Sequence, residues 1–129
     1  MLKPVDQFFL ALNSGDKQII GNLVTGGAIF SLPYGSEDPL KGVNQFIDEL
    51  FVFEDAFPDA KYKLRTCVAN DDMHIAAFTI TGHHRNNFMG EPATGKKHRF
   101  YGAAVFKLEG DKYSEVTMQF GISELLGCD

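Results

Sequence analysis

The chain reads as one α+β domain, with helices packed on one face of a curved antiparallel sheet. Two observations predict this. In the first half, apolar residues recur at three- and four-residue spacing in separate runs; from Lys61 onward the period falls to two. A chain that makes its helices first and its strands afterwards segregates the helices to one face of the sheet. At 129 residues, with 44% apolar and 22% charged residues, it has the size and composition of a single domain, 1–129, with one core.

The first helix covers Pro4 to Asn13, where Val5, Phe8, Phe9 and Leu12 share a face, Pro4 suits the first turn and "NSGD" ends it. Asp16 is placed to cap a second, short helix with Ile19, Ile20 and Leu23 turned inward. Ala28 to Leu32 reads as a strand and Pro33 to Pro39 as a loop of turn residues. A third helix runs from about Val43 to Phe53, with Phe46, Ile47, Leu50 and Phe51 as its apolar face. Four strands follow: Lys61 to Val68, Met73 to His84, Lys96 to Leu108 and Lys112 to Phe120, the last two joined by a tight turn at Glu109 to Asp111. Both faces of Met73 to Gly82 are largely apolar. One face suits the helices; the other suits either an interior cavity or a dimer interface.

"GEPATGKK", Gly90 to Lys97, has the G-x-x-x-x-G-K spacing of a phosphate-binding loop. Such a loop must lead into a helix whose free N–H groups face the anion. Here His98, Phe100, Gly102, Ala104 and Phe106 alternate with Lys97, Arg99, Tyr101, Ala103 and Val105, which is a strand pattern. Lys97 also stands where a metal-binding hydroxyl is needed. The segment therefore reads as a connection between two antiparallel strands.

A net charge of −5 argues against a general nucleic-acid binder, which needs many cations to neutralise phosphates. The N-terminal apolar stretch is too short and interrupted for a membrane span or signal peptide. Two cysteines, Cys67 and Cys128, make no disulfide framework. The expectation is a soluble, cytoplasmic protein without nucleic-acid or membrane partners.

Gly82 and His84, Phe88-Met89-Gly90, Pro92-Ala93-Thr94-Gly95-Lys96 and "GAAVFKL" follow one another in an order that resembles the SnoaL-like polyketide cyclases of the nuclear transport factor 2-like superfamily. "ALNSGD", "LKG" and "AFPDA" extend the resemblance upstream. It implies a cone, in which a strongly curved antiparallel sheet wraps about three N-terminal helices and encloses an apolar pocket. It also implies a homodimer, and an aldol cyclisation of a polyketide that uses no metal or organic cofactor. That chemistry needs a carboxylate base and an assisting His. The family's His matches His84. Its catalytic Asp falls on Gly121, and Thr117 stands where a Trp is usual. Gly can abstract no proton, so the resemblance carries the fold further than the chemistry.

Glu115 shares strand parity with position 121 and is the candidate substitute base. With His84 it forms the expected catalytic pair. Phe30, Leu32, Phe78, Ile80, Phe100, Thr117, Gln119 and Gly121 are the expected pocket lining, suited to a small apolar, carbonyl-bearing molecule. Adjacent His83 and His84 point to opposite faces and cannot share an ion; His98 would oppose His84 if the strands pair symmetrically about residue 91. No carboxylate or Cys completes a metal site at a recognisable spacing, so no metal is expected. Arg85, Lys96, Lys97 and Arg99 make the hairpin basic, as solvated edge charges or as a site for an anion at the cavity mouth. Three functions stay open: a non-catalytic ligand binder, a His84-dependent cyclase or isomerase acting on a polyketide- or steroid-like substrate, and a dimerisation module.

Overall fold

A computed structural model describes residues 3–35 and 37–121. Helices α1 (Pro4–Ser14) and α2 (Lys17–Leu23) lead into β1 (Val24–Ser31); β2 (Leu40–Lys41) precedes α3 (Gly42–Ala56); β3 (Lys61–Ala69), β4 (Met73–His83), β5 (Lys97–Glu109) and β6 (Lys112–Phe120) complete the described chain. The strands form one six-stranded sheet in the order β2-β1-β6-β5-β4-β3.

The local signals explain the helix ends. Pro4 opens α1, and Gly15 closes it in the left-handed conformation at φ 69°. The Asp16 carboxylate accepts from the Ile19 N–H at 3.2 Å, as an N-cap should. Asn13, at the end of α1, ties the helix to the sheet edge. Its Nδ2 donates to the Tyr62 carbonyl at 2.7 Å, and its Oδ1 accepts from the Tyr62 N–H at 2.7 Å.

Four expectations need correction. The sheet is mixed, because β1 runs parallel to β6 while the other pairings are antiparallel. A parallel pair needs a long crossover, and α3 with the β3–β5 meander supplies one. β1 also starts earlier than expected, passing through Gly26 and Gly27 with a register shift between Val24 and Ile29. On α3 the buried stripe is Phe46, Leu50, Phe53 and Ala56, whereas Phe51 is 63% exposed. At 3.6 residues per turn Phe51 lies about 140° round the helix from Phe46, while Phe53 returns to within about 20° of it. On α2 only Ile20 is buried, and Ile19 reaches solvent.

The helices cover the inner sheet face, where Phe78, Ile80, Phe100, Ala104, Phe106, Val116, Met118 and Phe120 are buried. Phe30 stacks on Phe46 at 4.3 Å, and Phe8 meets Phe106 edge-on at 5.1 Å. Among the described residues no helix is long and apolar enough to cross a membrane.

Candidate functional site

Alternation along β4 places Phe78, Ile80, Gly82 and then His84 on the inner face, and the side chain of His84 is fully buried. The backbone fixes its position. The His84 N–H donates to the Lys96 carbonyl at 2.9 Å, and its own carbonyl accepts from the Gly95 N–H at 2.8 Å. Gly95 does this at φ 72°, a conformation natural to glycine. The His84 ring stacks on Phe57 at 5.2 Å with 15° between the planes. Nδ1 lies 3.5 Å from Thr94 Oγ1, which itself accepts from the Lys96 N–H at 3.2 Å. Nε2 is buried with no hydrogen-bond partner among the described residues.

The hairpin register is symmetric about residue 90 rather than 91, since Gly82 pairs with His98 and His83 with Lys97. His98 is thus diagonal to His84, with ring centroids 6.0 Å apart. Met89 (φ 49°) and Gly90 (φ 86°) turn the chain, and a Phe88–Glu91 bridge closes the tip. "GEPATGKK" therefore connects strands, and β5 rather than a helix follows it. Among the described residues no group of three potential ligands is placed to hold a metal ion.

A row of rings extends from His84. Phe57 stacks on Phe53 at 4.8 Å, and Phe53 on Tyr34 at 6.0 Å. Phe88 enters the same cluster from the hairpin, edge-on to Tyr34 at 5.4 Å and to Phe53 at 5.7 Å. The hydroxyls of Tyr34 and Tyr62 are buried without a partner among the described residues. Burial first, then the charges of Glu49 and Glu54, push the Tyr34 phenol well above its ordinary pKa. For Tyr62 the causes are burial, then Tyr34 and Glu54. Burial also raises the carboxyl of half-buried Glu54. These three residues escaped the sequence reading. Tyr34 sits in a loop, Tyr62 is one apolar position in an alternating strand, and Glu54 follows the last residue assigned to its helix. No local pattern sets them apart.

The other expected site residues divide by face. Phe78, Ile80 and Phe100 are on the inner wall; Phe30 lies deep in the core, and Leu32 is half-buried. Glu115, Thr117, Gln119 and Gly121 do not face the interior. On β6 the inward residues are Tyr113, Val116, Met118 and Phe120, so the intervening ones project from the outer face. A register shift opposite Lys107 and Leu108 lets Tyr113 and Val116 both point inward. Glu115 pairs with Lys107 at 3.4 Å on that outer face. Gly121 lies just beyond β6, and a Cβ added there would meet nothing within 4 Å. The pairing of Glu115 with His84 is therefore corrected: the bulk of Phe120 and Met118 claims the interior, and alternation turns Glu115 away. Cys128 lies outside the described residues.

His83 points outward and is held by Asp59, whose carboxylate accepts from the His83 N–H at 2.8 Å and meets Nδ1 at 2.6 Å. The backbone hydrogen bond from His83, then its ring, lower the Asp59 pKa from 3.8 to about 2. A depressed carboxylate stabilises the fold in full above its unfolded pKa and loses that contribution as pH falls through the folded one. In urea titrations, stability should therefore decline from pH 3.8 towards about 2, and more shallowly in Asp59→Asn. The difference should be small, because the Asp59 side chain is 48% exposed. An equal slope in both proteins would show that the pair carries no stability.

These features define a small α+β cone whose inner wall is aromatic and whose hairpin end carries the buried His84. The family model for SnoaL-like polyketide cyclase matches residues 3–126, and the chain belongs to this family. Among solved structures, a candidate SnoaL-like polyketide cyclase from Jannaschia sp. CCS1 is similar with a TM-score of 0.82 at 16% identity, covering 97% of this chain and 90% of that one. IdmH, a candidate polyketide cyclase from Streptomyces antibioticus, is similar with a TM-score of 0.82 at 20% identity, covering 97% and 94%. TsrD from Streptomyces laurentii gives 0.79 at 18%, covering 98% and 93%. At such identities the likeness shows the fold. No protein of curated function matches the chain in sequence.

Proposed function

We propose that the chain binds a small apolar, carbonyl-bearing molecule inside the cone, without the family's Asp-driven aldol closure. The observation that carries this reading is His84, fully buried among aromatic rings with an Nε2 that no described residue satisfies. An orphaned buried polar atom costs about 1–3 kcal/mol, which a ligand oxygen at that position would remove. Thr94 favours the donor form. Its oxygen already accepts from Lys96, which leaves its hydroxyl proton for Nδ1 and puts the imidazole proton on Nε2. The aromatic wall suits a flat, apolar body, in keeping with structural neighbours described as candidate polyketide cyclases.

Saturation-transfer NMR with 2-tetralone tests this. Binding is expected in the wild type and should weaken about tenfold in His84→Phe, which keeps the ring and removes the donor. No transfer to the wild type would end this reading.

A second reading is assembly as a homodimer through the outer sheet face. Val68 (70% exposed) and Ile75 (44%) lie side by side there, and Val105 adjoins Ile75. Contiguous exposed apolar surface of this kind marks interaction sites. Sedimentation should give a dimer at micromolar concentration; a monomer throughout would exclude it. A reducing, cytoplasmic setting accords with Cys67, a free thiol.

A further inference from the structure

Alternation on β5 turns His98 and Phe100 inward and leaves Lys97, Arg99 and Tyr101 on the outer sheet face. The register carries that face onto β4, where His83 pairs with Lys97, Thr81 with Arg99 and Thr79 with Tyr101. On the far side of β4, Lys61 pairs with Thr81 and Lys63 with Thr79. Four cations from two distant segments, Lys61, Lys63, Lys97 and Arg99, therefore root in one patch of about 10 Å by 13 Å, given the spacing of strands and of alternate residues. All four are exposed, and among the described residues none is ion-paired. Asp59, a carboxylate at the rim, is engaged by His83. Lys97, His98, Arg99 and Tyr101 line a hollow of about 340 Å³, and the Tyr101 ring is 68% exposed. A broader hollow, lined in part by Ala103 and Gly121, adjoins Tyr101 as well.

We propose that this patch docks an acidic, amphipathic segment of a partner protein, with Tyr101 as its anchor. Charge complementarity selects the occupant. The chain carries a net charge of −5, so an acidic partner is repelled by the molecule as a whole and attracted here, which orients the encounter. A nucleic acid fits less well, because its phosphates continue at close spacing far beyond a patch of this size and onto acidic surface. Carboxylates on successive turns of a helix stand about 6 Å apart, close to the spacing of alternate strand residues that separates Lys61 from Lys63 and Lys97 from Arg99. The face is shallow, as suits a macromolecule rather than a small ligand. An exposed aromatic ring between two hollows supplies the apolar contact that charge alone lacks. Val68, Ile75 and Val105 lie six residues away along β4 and β5, about 20 Å from the cations, so the two halves of the outer face differ in character. Docking here does not depend on what the cone binds.

The test is fluorescence anisotropy at low salt, with the full chain and a labelled helical peptide of Glu and Leu. The wild type should bind this peptide, more weakly as salt rises, and should not bind its counterpart with Gln for Glu. Replacing Lys61, Lys63, Lys97 and Arg99 together by Gln should weaken binding about tenfold or more. That variant should melt no lower than wild type, since four close like charges repel. Tyr101→Ala should cost about tenfold. Lys17→Gln with Lys112→Gln, exposed cations elsewhere, should change nothing. No binding by the wild type, equal binding of the Gln peptide, or undiminished binding by the fourfold variant would each overturn the proposal. So would tighter binding of a single-stranded oligonucleotide of the same charge, which would assign the patch to nucleic acid. Self-association of the wild type that the fourfold variant loses in sedimentation would assign it to a second copy and overturn it too.

Discussion

Phe53→Ala should lower the unfolding free energy by about 4 kcal/mol, near the top of the range for removing a buried ring. The Phe53 ring is fully buried and lies in contact with five others: Phe57 at 4.8 Å, Phe120 at 5.4 Å, Phe88 and Phe100 at 5.7 Å, and Tyr34 at 6.0 Å. These neighbours come from the loop after β1, the end of α3, the hairpin, β5 and β6, so the cavity would open where several elements meet and none can collapse alone. For a domain whose whole stability is about 5–15 kcal/mol, such a loss is severe. Phe51→Ala, two residues away and 63% exposed, should change stability by less than about 0.5 kcal/mol. Urea unfolding of the two variants gives the comparison. Equal losses would mean that α3 packs with the face the sequence pattern suggested.

Gly102→Ala should destabilise by about 2–3 kcal/mol, although it adds a single methyl group. Gly102 pairs with Phe78 on one side and Phe120 on the other. A Cβ built there would come within 2.6 Å of the Gln119 carbonyl oxygen, 2.7 Å of the Phe78 ring and 2.9 Å of the Phe120 Cβ. The first is backbone, so relief requires moving β6 away from β5. Gly27→Ala is the control, since nothing lies within 4 Å of its added Cβ and its φ is not positive. It should be neutral or stabilise by about 0.4–1 kcal/mol through the unfolded chain. Thermal melts of both variants would decide it, and a Gly102→Ala protein as stable as wild type would show that the strands separate at no cost.

The candidate site was legible only in part. His84 stood out because the hairpin motif is local: Gly95 makes its turn, Thr94 lies beside it, and alternation along β4 carries His84 inward. The candidate base was misplaced. Its assignment depended on which face of β6 is buried, and strand parity gives two equivalent choices until packing selects one. Phe120, Met118 and Val116 made that selection, and Glu115 went to the outer face with Lys107.

The sequence by itself determined the elements and their kinds. α1, β3, β4, β5 and β6 begin and end within one residue of the limits read from periodicity and turn chemistry, because both are written in neighbouring residues. Family membership was equally local, resting on short motifs in fixed order. The tertiary structure decided the rest: the parallel course of β1 beside β6, the burial of Phe53 in place of Phe51, and the gathering of Tyr34, Phe53, Phe57 and His84 into one row of rings. Those four residues span some fifty positions from Tyr34 to His84 and lie together only because the sheet closes over α3. Contacts of that range are set by the packing of whole faces, which no window of neighbouring residues contains.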